Sequence, residues 1–282
     1  MEQHANNIIE QIHASYYQLT NTERRVADYV LTQREQVQYM SITQLADECG
    51  VADATISRFC RSLQLKGFNA FKLELARLAA APVKTAAVSE SANVNSRTQE
   101  VGRLAAEAVQ QTIALVDPKQ VEAAVNLIEK ASRVMCVGSG SSMIMANECV
   151  YLFSNVSDAF FGVADLHAQI SSVAAMSPND LMILFSYSGA TTIGVQLLEL
   201  ARSRGIKTIL ITRFSKSPAA KLADVVLRCG SNEGPYQLGS VPAKVAQLVV
   251  TDILYQEYYH RNQDACEKTI HSIAAALADV HI

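Results

Sequence analysis

The sequence predicts two domains of different fold class: an all-α domain in residues 1–81 and an α/β domain in residues 99–282, with a linker in residues 82–98. Apolar residues recur at helical spacing throughout the first domain. In the second domain, short apolar runs of strand length alternate with helical patterns, which is typical of a parallel sheet with helices on both faces. A chain of 282 residues is long enough for two such cores.

The composition is that of a globular protein, because 49% of the residues are hydrophobic and 18% are charged. A formal net charge of -3 argues against non-specific coating of nucleic acid but leaves room for a local DNA-binding surface. The six cysteines have no metal-ligand spacing, so we expect reduced thiols and no metal site. The sequence starts with polar residues and has no apolar run of membrane-spanning length, so we expect a cytoplasmic protein without membrane contact.

Two capping boxes predict where helices of the first domain begin. In residues 20–23 (TNTE) and 41–44 (SITQ), a hydroxyl residue precedes an acidic or amide residue by three positions. Each of the two side chains can then bond the backbone N–H of the other residue. Gly50 predicts a break in the chain, and a further helix is predicted over residues 53–63.

The helix predicted over residues 53–63 carries the main functional pattern of the first domain. Its packed face consists of Ile56, Phe59, Cys60 and Leu63. For its opposite, polar face we predict DNA contacts by Thr55, Ser57, Arg58, Arg61 and the following Lys66. A short helix, a glycine turn and a helix of this kind form the helix-turn-helix layout, whose second helix enters the major groove of DNA. A solvated helical bundle with incidental arginines is the alternative.

The second domain begins after a stretch without a core pattern. Residues 79–98 are small and polar and include Pro82, which predicts a linker. A helix is predicted to resume over residues 101–115, and Pro118 to start another. Five strands are then predicted, over residues 133–137, 159–163, 181–185, 208–211 and 225–227.

The stretch LMILFSYSGATT, residues 181–192, predicts an anion site where a strand gives way to a helix. The first N–H groups of a helix have no partners within it, and a glycine lets the backbone approach a ligand closely. Hydroxyl donors carry no charge, so the pattern favours a phosphate monoester on a sugar over a polyphosphate with magnesium. An ordinary strand–helix turn capped by Thr191 is the alternative.

A second loop of small residues, from Gly138 to Ser142, follows the first predicted strand. A dinucleotide-binding fold also has a glycine turn here, but Met143 stands where the third glycine of its GxGxxG motif belongs. We therefore expect no nicotinamide and no other cofactor. Ligands of open parallel sheets collect beyond the carboxyl ends of the strands, so both loops are expected at one site.

The segment SITQLADECGVADATISRFCRSLQLKGFNAFKLELARL resembles the amino-terminal helix-turn-helix domain of the RpiR family of bacterial transcriptional regulators. VGSGSS, LFSYSGATT and ILITRFSKSPAAKLAD resemble the sugar isomerase (SIS) domain that follows it in that family. The resemblance covers nearly the whole chain in the family's order. It implies an all-α helix-turn-helix domain followed by an α/β SIS domain, and a repressor of carbohydrate metabolism controlled by a phosphosugar effector.

The resemblance also implies effector-binding residues. They are Ser142, Ser186, Ser188 and Thr191, and His167 after the second strand, for which a structural role is the alternative. The two loops themselves add Ser139, Gly140, Ser141 and Gly189. Glu233, in a loop with glycine and proline, is a further candidate, with plain surface charge as the alternative. Lys244, where relatives often have an arginine, is a weaker one. The sequence departs from the family twice around the recognition helix. Ala52 replaces a capping serine, which leaves Asp53 to cap, and Gln64 replaces a glycine, which predicts a strained or reshaped turn.

We therefore predict a DNA-binding transcriptional regulator without catalytic residues. Its expected partners are operator DNA, a phosphosugar and further copies of itself in a homodimer or tetramer. The alternative is a sugar-phosphate isomerase of the SIS class with a helical appendage. An isomerase needs a positioned base, for which His167 and Glu233 are available, but it has no use for the helix-turn-helix and the linker.

Overall fold

The structure is a computed structural model that describes residues 8–79, 94–231 and 239–278. The chain forms two compact units, and the boundary between them falls inside a helix, between Leu104 and Ala105. The first unit has one hydrophobic core, and the second has a core on each face of its sheet. The predicted fold classes of the two parts are confirmed.

The described part of the first unit before residue 80 is entirely helical. It contains α1 (Ile8–Ser15), a short 3-10 turn (Tyr16–Gln18), α2 (Asn21–Val37), α3 (Ile42–Cys49), α4 (Asp53–Ser62) and α5 (Phe68–Ala79). The apolar faces of these helices share one core. At its centre Phe59 of α4 and Phe71 of α5 are fully buried and meet edge to face, with ring centroids 5.5 Å apart.

Local sequence explains where α2 and α3 begin and where α3 ends. Both predicted capping boxes are present, Thr20 with Glu23 at α2 and Ser41 with Gln44 at α3. Gly50 ends α3 in the left-handed conformation, with φ of +60°. This conformation favours glycine in the turn between α3 and α4, whereas a Cβ there would only displace the end of the flexible Arg25 side chain.

The predicted cap of α4 is wrong. The residue before the helix is Ala52, which makes no side-chain capping hydrogen bond, and Asp53 is already helical. The Asp53 carboxylate instead accepts a hydrogen bond from the Thr43 hydroxyl at 2.9 Å. Asp53 therefore ties α4 to α3, which fixes the angle between the two helices of the motif.

The predicted strain at the exit of α4 is confirmed at Gln64. Its φ of +59° makes it the non-glycine residue with positive φ in the described chain. The Gln64 N–H donates to the Arg61 carbonyl at 2.8 Å and the Leu65 N–H to the Cys60 carbonyl at 3.0 Å, which closes the helix end. Glycine is the usual residue in this conformation because it has no Cβ to collide with the backbone.

The remaining helices are α6 (Val94–Leu115), α7 (Pro118–Lys130), α8 (Ser141–Ser154), α9 (Leu166–Ala175), α10 (Thr192–Ser203), α11 (Val241–Arg261) and α12 (Gln263–Leu277). Helix α6 begins earlier than predicted, so residues 94–98 of the predicted linker are helical; residues 82–93 lie outside the described chain. The exact domain limits stay a prediction. No helix in the described ranges is long and apolar enough to cross a membrane.

The five predicted strands form one parallel sheet. They are β1 (Val134–Gly138), β2 (Phe160–Gly162), β3 (Leu181–Phe185), β4 (Lys207–Thr212) and β5 (Val225–Arg228), in the order β2-β1-β3-β4-β5. Helices α7, α8 and α11 cover one face of the sheet, and α9 and α10 cover the other. Because both faces are buried, β1 and β3 consist of buried residues along their whole length.

Candidate functional site

The two predicted loops lie side by side, at the point where the strand order reverses. Strand β1 pairs with β2 on one side and β3 on the other, and Gly138 is in register with Phe185 at the carboxyl ends. The loops that begin after these two residues therefore leave the same edge of the sheet. Open parallel sheets bind ligands in the crevice at this switch point.

Glycine shapes the first loop. A Cβ on Gly138 would lie 2.8 Å from the main-chain carbon and oxygen of Ser142, so the strand and α8 are in backbone contact. Gly140 has φ of +56° and precedes α8 without a side-chain cap. Ser142 is buried, whereas Ser139 and Ser141 are half-buried and Gly140 is exposed.

The residue after this loop argues against a dinucleotide site. Met143 is buried in the core, and its Sδ lies 3.4 Å from the Nε2 atom of Gln169. A dinucleotide fold needs glycine at this position so that helix and strand can approach closely. Here a large side chain fills that space.

The second loop folds over its own hydroxyls. The Gly189 N–H donates to the Ser186 carbonyl at 3.1 Å, and the Ala190 N–H donates to Ser188 Oγ at 3.2 Å. The hydroxyls of Ser186 and Thr191 lie 3.4 Å apart. Gly189 has φ of +61°, and a Cβ on it would overlap the Ser217 side chain. Four of the predicted residues are thus brought together in one turn.

The start of α10 is not closed by a side chain. Thr191 stands at the N-cap, but its side chain makes no capping hydrogen bond, so the cap that the alternative of an ordinary turn assumed is not formed. The first turn of α10 also contains no acidic residue. The positive end of the helix dipole is therefore left for an anion, with hydroxyls beside it.

Several residues that support the loops were missed in the sequence. The Thr212 hydroxyl donates to the Tyr187 carbonyl at 3.1 Å, and Ser217 is fully buried against Gly189. Gln169 is also fully buried, and its amide donates to the carbonyls of Gly138 and Val163, each at 2.9 Å. The signal for Ser217 was its place in the SKSPAAKLAD motif; nothing local marks Gln169.

The weaker candidates are more scattered. His167 is exposed in the first turn of α9, where the Asp165 carboxylate caps the helix by accepting from the Ala168 N–H at 2.8 Å. Lys244 is half-buried on α11. Glu233 lies outside the described residues. Within the described ranges no group of three or more His, Cys, Asp or Glu residues is arranged to hold a metal ion.

In the first unit, α4 presents most of the predicted DNA-facing residues. Arg58, Arg61 and Lys66 are exposed and Ser57 is half-buried. Thr55 is buried, so its predicted position on the exposed face is wrong. Its hydroxyl oxygen accepts a hydrogen bond from Arg58 Nη2 at 3.1 Å, which orients the arginine.

The far end of α4 is tied to the start of α2. The Ser62 hydroxyl donates to the carboxylate of Glu23 at 3.1 Å, and Glu23 also accepts from the Thr20 backbone N–H at 2.9 Å. Burial alone would raise the pKa of Glu23, but the hydrogen bonds from Thr20 and Ser62 outweigh it and hold the pKa below its usual value. The carboxylate thus stays ionised and holds α4 in place.

The fold and these two surfaces define a class of protein: a helix-turn-helix unit joined to a parallel α/β unit of the SIS type. Family models match both parts, the model described as "Helix-turn-helix domain, rpiR family" at residues 6–82 and the SIS domain at residues 127–256. The chain belongs to the RpiR family of HTH-type transcriptional regulators.

Similar proteins span nearly the same length. An HTH-type transcriptional regulator from Providencia stuartii is 30% identical over 84% of this chain and 85% of its own. The regulator HexR from Escherichia coli is 29% identical over 88% of this chain and 86% of its own. The Vibrio vulnificus NanR protein, solved in complex with ManNAc-6P, has a TM-score of 0.89 at 24% identity and covers 98% of this chain and 100% of its own.

Proposed function

We propose that the protein is a cytoplasmic repressor whose affinity for operator DNA is controlled by a sugar phosphate bound at the carboxyl ends of β1 and β3. One observation carries the proposal: a helix start without a side-chain cap, surrounded by hydroxyls, in the same chain as a helix with exposed arginines. The first feature suits a phosphate and the second suits DNA. The operon would be one of carbohydrate metabolism.

The phosphate would lie at the start of α10. Ser188 Oγ already accepts a hydrogen bond from the Ala190 N–H, so its own hydrogen can be donated to a phosphate oxygen. Ser186 and Thr191 form one hydrogen bond between them, which uses one of their two hydroxyl hydrogens. The other can go to the ligand.

The sugar would extend toward the first loop. Ser139, Gly140, Ser141 and Ser142 leave the adjacent strand, with small side chains that leave room for a sugar ring. His167, exposed at the start of α9, and Glu233 are the residues we assign to the sugar hydroxyls. The ManNAc-6P in Vibrio vulnificus NanR supports the class of ligand.

On the DNA side, Arg58, Arg61, Lys66 and Ser57 would enter or flank the major groove. A repressor of this type reads two half-sites about 34 Å apart, which requires at least two copies of the helix-turn-helix. Ile144 and Tyr151 on α8 and Val241 and Leu248 on α11 are exposed, and these two helices pack together. We assign this apolar surface to a homodimer or tetramer contact.

An isomerase is less well supported. Moving a proton between carbons requires a base held close to the substrate and protected from water. His167 is exposed at the start of its helix. We expect no turnover of any hexose or pentose phosphate that binds; turnover that His167→Ala or Glu233→Ala abolishes would instead establish the enzyme.

The test begins with a thermal-shift screen of sugar phosphates against the full chain, followed by calorimetry of each compound that raises Tm. Each is compared with the same sugar without phosphate, which we expect to bind poorly. Fluorescence anisotropy with a duplex selected from random sequences then measures DNA affinity with and without the compound. If no sugar phosphate both binds and changes DNA affinity, the proposed function is wrong.

A further inference from the structure

Tyr187 lies between two of the proposed phosphate-binding serines, yet its side chain reaches the segment after β5. Its hydroxyl donates to the Ser231 carbonyl at 2.6 Å and lies 2.9 Å from the Ser231 hydroxyl. Its own carbonyl accepts from the Arg213 N–H at 3.0 Å and from the Thr212 hydroxyl. A shift of the loop therefore acts directly on the segments that follow β4 and β5.

Ser231 follows Gly230, which is in backbone contact with α6. The Gly230 N–H donates to Thr112 Oγ1 at 3.0 Å, and a Cβ on Gly230 would lie 2.6 Å from the main-chain carbon of Gln111. Thr112 is fully buried, and its hydroxyl donates to the Ala108 carbonyl at 2.6 Å. No flexible side chain lies between Gly230 and the backbone of α6 to absorb a movement.

Helix α6 is the element through which this unit is joined to the DNA-binding unit. It is continuous from Val94 to Leu115. At 1.5 Å per residue its length is about 33 Å. Its amino end leads through residues 80–93 to α5. A displacement at Thr112 is therefore carried along a stiff helix that the chain connects to the helix-turn-helix unit.

We propose that the Tyr187 hydroxyl, through Ser231, Gly230 and Thr112, passes the occupancy of the phosphate loop to α6. Tyr187 is then a positioning residue for regulation and not a ligand contact. The inference rests on the proposed function, because Ser186 and Ser188, the residues that would bind the phosphate, flank Tyr187 in the chain. The Tyr187–Ser231 bond then differs between the bound and free states, as any coupling requires.

The first test is amide hydrogen exchange of the full chain with and without saturating inorganic phosphate. In wild type we expect added protection at the start of α10 and a change in α6 around Thr112. Tyr187→Phe removes only the hydroxyl, so it should keep the protection at α10 and lose the change in α6. Tyr258→Phe is the matched control, since its hydroxyl bonds to Ser157 in the segment between α8 and β2; it should behave like wild type.

The outcomes separate the two proposals. Absent protection at α10 in wild type would contradict the phosphate site itself. Protection at α10 without any change in α6, or an equal change in α6 of wild type and Tyr187→Phe, would overturn the coupling route while leaving the site intact.

The second test measures coupling as the ratio of operator Kd values with and without the sugar phosphate that gives the largest thermal shift. Allosteric coupling is typically about 5- to 150-fold, so we expect that ratio in wild type and Tyr258→Phe. In Tyr187→Phe this ratio should fall toward one. Its sugar-phosphate affinity should stay within about threefold of wild type, because the lost hydrogen bond does not contact the ligand.

Thr112→Ser keeps the hydroxyl and should keep the coupling, whereas Thr112→Val should lose the coupling. Full coupling in both Tyr187→Phe and Thr112→Val would refute the route.

Discussion

The two proposed binding surfaces are built in opposite ways. The surface of α4 presents exposed, charged side chains on a helix whose other face is packed, so its chemistry lies in Arg58 and Arg61, with Lys66 in the segment that follows. The turn after β3 consists of buried or half-buried hydroxyls and a glycine, and its chemistry lies as much in the backbone as in the side chains.

This difference separates what a substitution can do at each place. On α4 a side chain can be removed without disturbing the core, because it projects into solvent. In the turn, Gly189 touches Ser217 and its carbonyl accepts from the Ala219 N–H at 2.9 Å, so the loop is part of the packing around β4. Binding and stability should therefore be separable on α4 and coupled in the turn.

The largest effect is expected from Gly189→Ala. Its left-handed conformation and the overlap with Ser217 should together cost about 2–5 kcal/mol of unfolding free energy and abolish sugar-phosphate binding. Gly102→Ala in α6, where a Cβ meets nothing within 4 Å, is the control and should stabilise by about 0.5–1 kcal/mol. Urea unfolding and calorimetry measure both. A stable Gly189→Ala variant with normal binding would contradict the inference that stability and sugar-phosphate binding depend on the same turn.

Ser188→Ala comes next. A hydrogen bond to a charged group contributes about 1.5–3 kcal/mol, so sugar-phosphate affinity should fall roughly ten- to a hundredfold. DNA affinity without ligand should not change, because the serine lies in the other unit. Ser203→Ala, at the opposite end of α10, should leave affinity unchanged. Calorimetry with the phosphorylated and unphosphorylated sugar decides; equal affinity in wild type and Ser188→Ala would mean that the turn does not hold the phosphate.

Arg58→Ala and Arg61→Ala should each weaken operator binding. Arg61→Ala should leave Tm unchanged, whereas Arg58→Ala should lower it slightly because it also removes the hydrogen bond to the buried Thr55 hydroxyl. A base contact would lose about 1–3 kcal/mol and relax specificity, whereas a phosphate contact would lose affinity for all sequences and flatten the salt dependence. Arg202→Ala, exposed on α10, removes the same charge away from α4 and is the control. Anisotropy titrations across salt concentrations distinguish these cases. Wild-type binding by both variants would exclude α4 as the recognition helix.

A smaller effect, of opposite sign, is expected at the exit of α4. Gln64→Gly removes the cost of a side chain in the left-handed conformation, so the first unit should gain about 1 kcal/mol of stability. Gln64→Ala keeps the Cβ and should gain little. Thermal unfolding compares the two, and an equal gain from both would show that the backbone conformation carries no strain.

The smallest effect concerns pH. The pKa of Glu23 is lower in the folded chain than its ordinary value of 4.5, so its ionised form stabilises the fold above that value. This contribution is lost as the pH falls through the lower, folded pKa. Glu23→Gln should therefore be less stable than wild type at neutral pH, and the difference should shrink in acid. A constant difference across the acid range in urea unfolding would contradict the role given to the carboxylate.

The elements with local signals were predictable from the sequence. The five strands, both capping boxes and the break at Gly50 follow from hydrophobic period and from residues whose chemistry acts within a few positions. The wrong predictions concern residues whose hydrogen-bond partners or burial depend on distant parts of the chain. Asp53 does not cap α4, because it is already inside the helix, and its carboxylate accepts from Thr43, ten residues away. Thr55 is buried because the packing around α4 extends further round the helix than the four apolar residues indicated.

The sequence by itself determined the fold class of each unit, the positions of the two loops and the presence of arginines on α4. These features follow from hydrophobic periodicity and from glycine and hydroxyl residues, whose effects are local. Only the tertiary structure decided which strands are neighbours, and so that the loops after β1 and β3 meet. It alone joined Tyr187 to Ser231 and Gly230 to Thr112, across 44 and 118 residues of chain. Such contacts depend on how elements pack, which the local pattern of any one element does not encode.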